Sequence, residues 1–140
     1  MRSVYDAIKV VKGIAPIAQG ASEALSAAID TAGYNSALVE VINGAATGTP
    51  DSYSIAVKVT ECDTSGGSYS DVSGATATIT ADGKHAQIRL EGLGTSRKRY
   101  IKISVTPTIT GGTTPKVLIG AVALLGRAFT NPVGNSSTAA

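Results

Sequence analysis

Tyr53-Ser54-Ile55-Ala56-Val57-Lys58-Val59-Thr60-Glu61-Cys62 decides the fold class. Tyr53, Ile55, Val57 and Val59 fall on one face and Ser54, Lys58 and Thr60 on the other, the period of two that marks a half-buried strand. β-Branched residues at the apolar positions suit a pleated surface. Ser36 to Ile42 alternates in the same way, with Leu38, Glu40 and Ile42 opposite Ala37, Val39 and Val41, and Asn43-Gly44 reads as the turn that closes it.

Working outward, Leu25 to Asp30 reads as a short strand ending in the turn Thr31-Ala32-Gly33-Tyr34. Ala75 to Thr80, Ala86 to Glu91, Tyr100 to Thr106 and Val117 to Leu125 complete the set. Asp82-Gly83 marks a tight turn, and Pro107 to Pro115 a turn-rich connection. About eight strands at roughly 8 to 12 residue spacing predict an all-β, two-sheet antiparallel β-sandwich, jelly-roll-like or immunoglobulin-like.

Composition points the same way. The 140 residues suit one domain, and 43% apolar against 16% charged residues gives enough material for a core. Aromatic residues are scarce at 4%, with no Trp, so the core must be Val, Ile, Leu and Ala. One cysteine, Cys62, allows neither an intrachain disulfide nor a thiolate metal site.

The first residues carry conflicting signals. Val4, Ala7, Ile8 and Val11 follow helical spacing behind a possible Ser3 to Asp6 cap. The β-branched Ile8, Val10, Val11, Ile14 and Ile17, with Gly13 and Pro16, oppose a helix. Residues 1–20 therefore read as an extended N-terminal arm, 21–127 as the β-sandwich and 128–140 as a C-terminal tail without periodicity. Val4, Tyr5, Ile8, Val10, Val11 and Ile14 on that arm lack an obvious hairpin partner and are expected to be buried by a neighbouring subunit.

Arg2, Asp6 and Lys9 interrupt the opening residues, so no secretory signal is expected and synthesis in a cytoplasm is. No apolar run reaches the roughly 18 residues that span a bilayer, and no membrane partner is expected. The net charge of +2 divides unevenly: residues 1–83 hold four bases and nine acids, net −5, and residues 84–140 hold eight bases and one acid, net +7. Such asymmetry suits contacts between copies or with a polyanion.

Candidate chemistry is thin. His85 is the lone histidine and reads as a surface turn residue, because no second histidine is present to relay a proton or complete a metal site. Cys62 lacks a neighbouring base in its strand and reads as a buried spacer. Glu61, Asp63 and Asp71 offer oxygen ligands without the spacing of a calcium loop, and Gly92-Leu93-Gly94-Thr95-Ser96 lacks the ending of a phosphate loop. Glu40, Glu61 and Glu91 could approach one another, but nothing places them in a cleft. Arg97-Lys98-Arg99 is the densest positive charge; with only Tyr100 nearby to stack a base, it reads as a solvated or interface charge run more than as a nucleic-acid site. Asn135-Ser136-Ser137 matches a glycosylation sequon that carries no weight without a secretory signal.

Ile8-Lys9-Val10-Val11-Lys12-Gly13-Ile14-Ala15-Pro16 and Ala28-Ile29-Asp30-Thr31-Ala32-Gly33-Tyr34-Asn35-Ser36-Ala37 resemble the small structural proteins encoded among tailed-phage head genes. Glu61-Cys62-Asp63 with Tyr69-Ser70-Asp71-Val72 resembles the family's acidic, turn-rich stretch, although relatives often carry Ser at the position of Cys62. Arg97-Lys98-Arg99-Tyr100-Ile101-Lys102 resembles its basic strand start, and Leu124-Leu125-Gly126-Arg127 is similar to its closing strand. The resemblance implies a capsid cement, or decoration, protein of a bacteriophage virion: a sandwich that binds the outside of the head and bridges neighbouring capsomers.

On that reading the chain is not an enzyme, carries no cofactor or metal, and has the major capsid protein and copies of itself as partners, a dimer being favoured over a trimer. The expected interface is Val4, Tyr5, Ile8, Val10, Val11, Ile14, Arg97, Lys98, Arg99, Arg127 and Phe129. The alternative is a carbohydrate- or host-surface-binding sandwich, for which Tyr5, Tyr34, Tyr53, Tyr69, Tyr100 and Phe129 are the available rings.

Overall fold

The computed structural model describes residues 3–129, whose regular secondary structure is almost wholly strand. In chain order come β1 (Lys9–Gln19), β2 (Ala24–Leu25), β3 (Ile29–Asp30), β4 (Tyr34–Thr47), β5 (Ser52–Cys62), β6 (Ser70–Ile79), β7 (His85–Glu91), β8 (Tyr100–Thr110) and β9 (Lys116–Ala128). One sheet has the order β1-β9-β4-β7; the other has β2-β8-β5-β6, with β3 also on β8. The pairs are nested: β1 with β9, β2 and β3 with β8, β4 with β7, β5 with β6, all antiparallel. This is a jelly roll, a two-sheet sandwich wound from one folded ribbon.

The two inner faces are built from the alternating apolar residues. Val39, Val41, Val117, Ala123 and Leu125 of the first sheet face Ile55, Val57, Val59, Ile101, Ile103 and Val105 of the second, each almost fully buried. Burying one such side chain is worth about 1.5–3 kcal/mol, so the core alone accounts for why these strands hold their register.

The arm expected over residues 1–20 is instead part of the sandwich. Val4–Ala7 forms a single helical turn, α1, whose N-cap Ser3 accepts a hydrogen bond from the Asp6 N–H at 3.2 Å. Lys9–Gln19 then pairs along β9, from Lys9 opposite Leu125 to Gln19 opposite Val117. Val11 and Ile14 pack against the chain's own core. The β-branched residues do make a strand, but its partner lies about a hundred residues away, and no local turn signal announces it.

Register shifts at Lys12/Ile14 and Ile14/Ile17 accommodate Gly13 and Pro16. A Cβ on Gly13 would lie 2.7 Å from Ile103 Cδ1 and 3.0 Å from the Ala121 carbonyl oxygen, so only glycine fits there. Pro16 sits on an edge strand, where its missing N–H costs no interior ladder bond.

Asn43-Gly44, expected to close β4, is a bulge within it. The Asn43 side chain is buried: its amide donates to the Tyr53 hydroxyl at 3.0 Å and its Oδ1 accepts from the Lys84 N–H at 2.9 Å. With those partners the strand continues to Thr47. The Tyr53 hydroxyl in turn donates to Asp82 at 2.5 Å, and burial, then that carboxylate, push the phenol's pKa upward.

The strand expected over Leu25 to Asp30 is split into β2 and β3, bridged by Ser26, which accepts the Ile103 N–H on its Oγ and donates its own N–H to the Ile103 carbonyl, each at 2.9 Å. β8 runs through Pro107 to Thr110, so the turn is shorter than expected. At the other end Ala128 belongs to β9 and Phe129 donates its N–H to the Gly33 carbonyl at 2.8 Å. The rest of the expected tail, 130–140, lies outside the described residues. Among those described, no helix is long and apolar enough to cross a membrane.

Candidate functional site

The outward faces of the two sheets differ in chemistry. On β2-β8-β5-β6, the paired outward positions include Ala56, Thr78 and Thr106 in one row and Lys58, Thr76 and Ser104 in the next. Most of these side chains are polar or small, but Ser104 is buried and donates its hydroxyl to Glu23, and Leu25, opposite it, is 49% exposed. On β1-β9-β4-β7 one row is Val10, Leu124 and Leu38, the next Lys12, Val122 and Glu40, and beyond them lie Ile42 and Leu118. Val10, Ile42 and Leu118 are among the large apolar residues left exposed, at 53%, 56% and 43%.

This apolar face is grooved. Where β1 shifts register around Pro16, an open groove of about 580 Å³ runs between that segment and Ile42 and Leu118. Gly44 and Gly120 line it and carry no side chain to fill it. A smaller depression of about 280 Å³ lies nearer the start of β1, between Ile8, Leu38 and Leu124. A face with such indentations accepts apolar side chains from a partner.

One polar feature interrupts it. His85 Nδ1 donates to Glu40 Oε1 at 2.5 Å, and the Glu40 side chain is only 16% exposed. The second oxygen, Oε2, is buried and accepts no hydrogen bond among the described residues. His85 is thus the first residue of β7 and holds a carboxylate, where a solvated turn residue was expected. Lys12 lines the same groove.

The basic run is partly paired within the fold, with Lys98 and Arg99 still exposed. Glu61 takes the Lys98 N–H at 3.1 Å and lies 3.6 Å from Arg97, and Arg99 holds Asp30. Two ion pairs, Glu61–Arg97 and Asp30–Arg99, join acids of the first half to bases of the second, so part of the charge asymmetry is matched within the fold. Arg127 lies 3.9 Å from Glu91, beside the same outer face. Val4, Tyr5 and Phe129 are exposed near that end. The expected interface residues are therefore divided: Ile8 and Val10 join the apolar face, Val11 and Ile14 the core, and Arg97–Arg99 the opposite sheet. Leu38, Ile42, Leu118 and Val122 were not singled out, although the Leu38, Glu40, Ile42 alternation already marked an outward row with apolar members.

The other candidate groups are not gathered. Asp71 pairs with Lys58 at 3.1 Å while Glu61 points to the basic run, and among the described residues no set of three or more His, Cys, Asp or Glu could hold a metal. Cys62 is buried, and hydrogen bonding from the Thr64 backbone lowers its thiol pKa. Residues 92–97 form a tight turn pinned by the buried Leu93. Four tyrosines are engaged as follows: Tyr34 and Tyr53 pack on the core, Tyr69 binds the Ser65 carbonyl, and Arg99 lies over Tyr100.

The fold recurs in known structures. The chain is similar to the PBSX exported protein XepA over its whole length, with a TM-score of 0.60 at 10% identity, and spans 44% of that protein. Weaker likenesses are to TmCBM61 in complex with β-1,4-galactotriose (TM-score 0.46, 16% identity, 86% of this chain and 83% of that one) and to Desmodium yellow mottle tymovirus (0.37, 13%, 95% and 92%). No protein-family model matches the chain, and no curated protein matches it in sequence. At these identities the likeness is one of fold.

Proposed function

We propose that this chain is a structural protein of a phage virion, a cement protein that lies on the capsid surface, touches the major capsid protein and acts by binding instead of catalysis. The observation that carries the reading is the contrast between the two outward faces. One is mostly polar, with Leu25 the large apolar side chain exposed on its short strand β2; the other presents Val10, Leu124, Leu38, Val122, Ile42 and Leu118 in adjoining rows. Such a contiguous apolar face favours burial against a partner.

The docking surface moves accordingly from the expected arm to the outside of β1-β9-β4-β7. Its grooves receive apolar side chains of the shell, and Lys12, Glu40 and His85 set orientation at the centre. Each contact need only be modest, because a copy that bridges two shell subunits gains from the high effective concentration of its second contact. The carbohydrate-binding alternative needs exposed rings; Tyr34, Tyr53, Tyr69 and Tyr100 are engaged internally, while Tyr5 and Phe129 are exposed.

The test is a density map of heads from the encoding phage, prepared without this protein and re-supplied with wild type or with Ile42→Lys/Leu118→Lys. Decoration by wild type with β1-β9-β4-β7 facing the shell, and loss of occupancy in the variant, is the expected result. Full occupancy by the variant, or no binding of wild type, would overturn the reading.

A further inference from the structure

Most of the strands that border the two sheets carry features that discourage another strand from pairing. β1 has Gly13, Pro16 and two register shifts, β2 and β3 are two residues each, and β6 pairs with β5 across a shift. β7 has none of these: seven residues in unbroken register with β4, without proline or glycine. Among the described residues no strand lies on its other side.

The direction of its backbone groups follows from Asn43 and Lys84. The Asn43 N–H donates to the Lys84 carbonyl at 2.9 Å, and the Lys84 N–H returns to the Asn43 side chain. Residues 43 and 84 thus stand as a hydrogen-bonded pair in the register that continues through Val41 opposite Ala86 and Val39 opposite Ile88. Since such pairs alternate along an antiparallel ladder, Ala86, Ile88 and Leu90 bond to β4. His85, Gln87, Arg89 and Glu91 turn their N–H and C=O groups to the open side.

We propose that β7 pairs antiparallel with β7 of a second copy of this chain, about a two-fold axis at Ile88. The open-side groups belong to odd-numbered residues, so odd must face odd. Centring on Gln87 would set His85 against Arg89, and centring on Arg89 would set that cation against itself. Centring on Ile88 sets His85 against Glu91 of the second copy and Gln87 against Arg89, with no like charges directly opposed. On the inner side Ile88 meets Ile88 and Ala86 meets Leu90, all apolar and already buried.

That axis is perpendicular to the sheet, so both outward faces point the same way in one eight-stranded sheet, with the polar β7 seam of His85, Gln87, Arg89 and Glu91 between their apolar parts. The pairing stands independently of what that surface docks against.

Sedimentation equilibrium of the full chain tests it, with Gln87→Pro as the variant. That proline removes an N–H that points away from β4 and places its ring on the open edge. Wild type is expected to associate reversibly from 14.0 kDa to twice that mass, and Gln87→Pro to stay at 14.0 kDa. Amide exchange of wild type by NMR separates this pairing from any other dimer: Gln87, Arg89 and Glu91 should slow at least about tenfold as concentration rises, with Ala86, Ile88 and Leu90 protected throughout. A wild type that remains monomeric up to about 1 mM, or that dimerises without slowing the odd-numbered amides, overturns the proposal. Should Gln87→Pro fail to fold, the wild-type exchange pattern decides alone.

Discussion

Arg99 holds Asp30 through two parallel hydrogen bonds, Nε to Oδ1 at 2.9 Å and Nη2 to Oδ2 at 2.8 Å. The fork closes β3 onto the start of β8 and keeps the densest basic segment against the sandwich. The Arg99 hydrogen bond is the main reason the Asp30 carboxyl sits below its ordinary pKa of 3.8, with smaller help from the Ala32 N–H. A carboxyl lowered in the folded state contributes stability that is present above its unfolded pKa and is lost as pH falls through the folded value. Wild type should therefore exceed Asp30→Asn in urea midpoint at pH 7, and the gap should close below about pH 4. Both side chains are about half exposed, so the gap is small and shrinks in high salt.

Gly13→Val should destabilise the fold by about 1–3 kcal/mol, the usual cost of overpacking. Its branched side chain has no room between Ile103 and Ala121. Gly20→Ala is the control, since nothing lies within 4 Å of a Cβ there, and should fall within about 0.5 kcal/mol of wild type. Urea unfolding of both variants measures the difference.

Asn43→Ala should cost about 1–3 kcal/mol, because it removes a fully buried side chain's bonds to the Lys84 N–H and to Tyr53. Tyr53→Phe should cost less, since the Asn43 side chain keeps its bond to Lys84. Thermal unfolding of the two singles and the double variant should show coupling, as the three groups form one network.

Ile42→Lys should change stability by no more than about 0.5 kcal/mol, since that side chain is more than half exposed, and Leu118→Lys, at 43% exposed, by no more than about 1 kcal/mol. Val39→Ala, one residue class away on the inner face of β4, should be several-fold more costly, because that side chain is completely buried. Urea midpoints of the three variants check this, and they separate loss of docking from loss of fold.

The alternation of Tyr53–Cys62 and of Ser36–Ile42 determined by itself that these segments are strands with one buried face, because period two leaves no other way to bury Ile55, Val57, Val39 and Val41 together. The scarcity of aromatic residues likewise determined an aliphatic core. Only the tertiary structure decided where Lys9–Gln19 goes, since its partner β9 is the far end of the chain and strand pairing at that distance leaves no periodic trace. It also decided that Asn43-Gly44 continues a strand: those residues are a turn signal until Lys84 and Tyr53 satisfy the amide. The candidate face emerged for the same reason. Leu38, Val10, Val122 and Leu118 are scattered over three segments of sequence, and they become one surface only when nested pairing lays β1, β9 and β4 side by side.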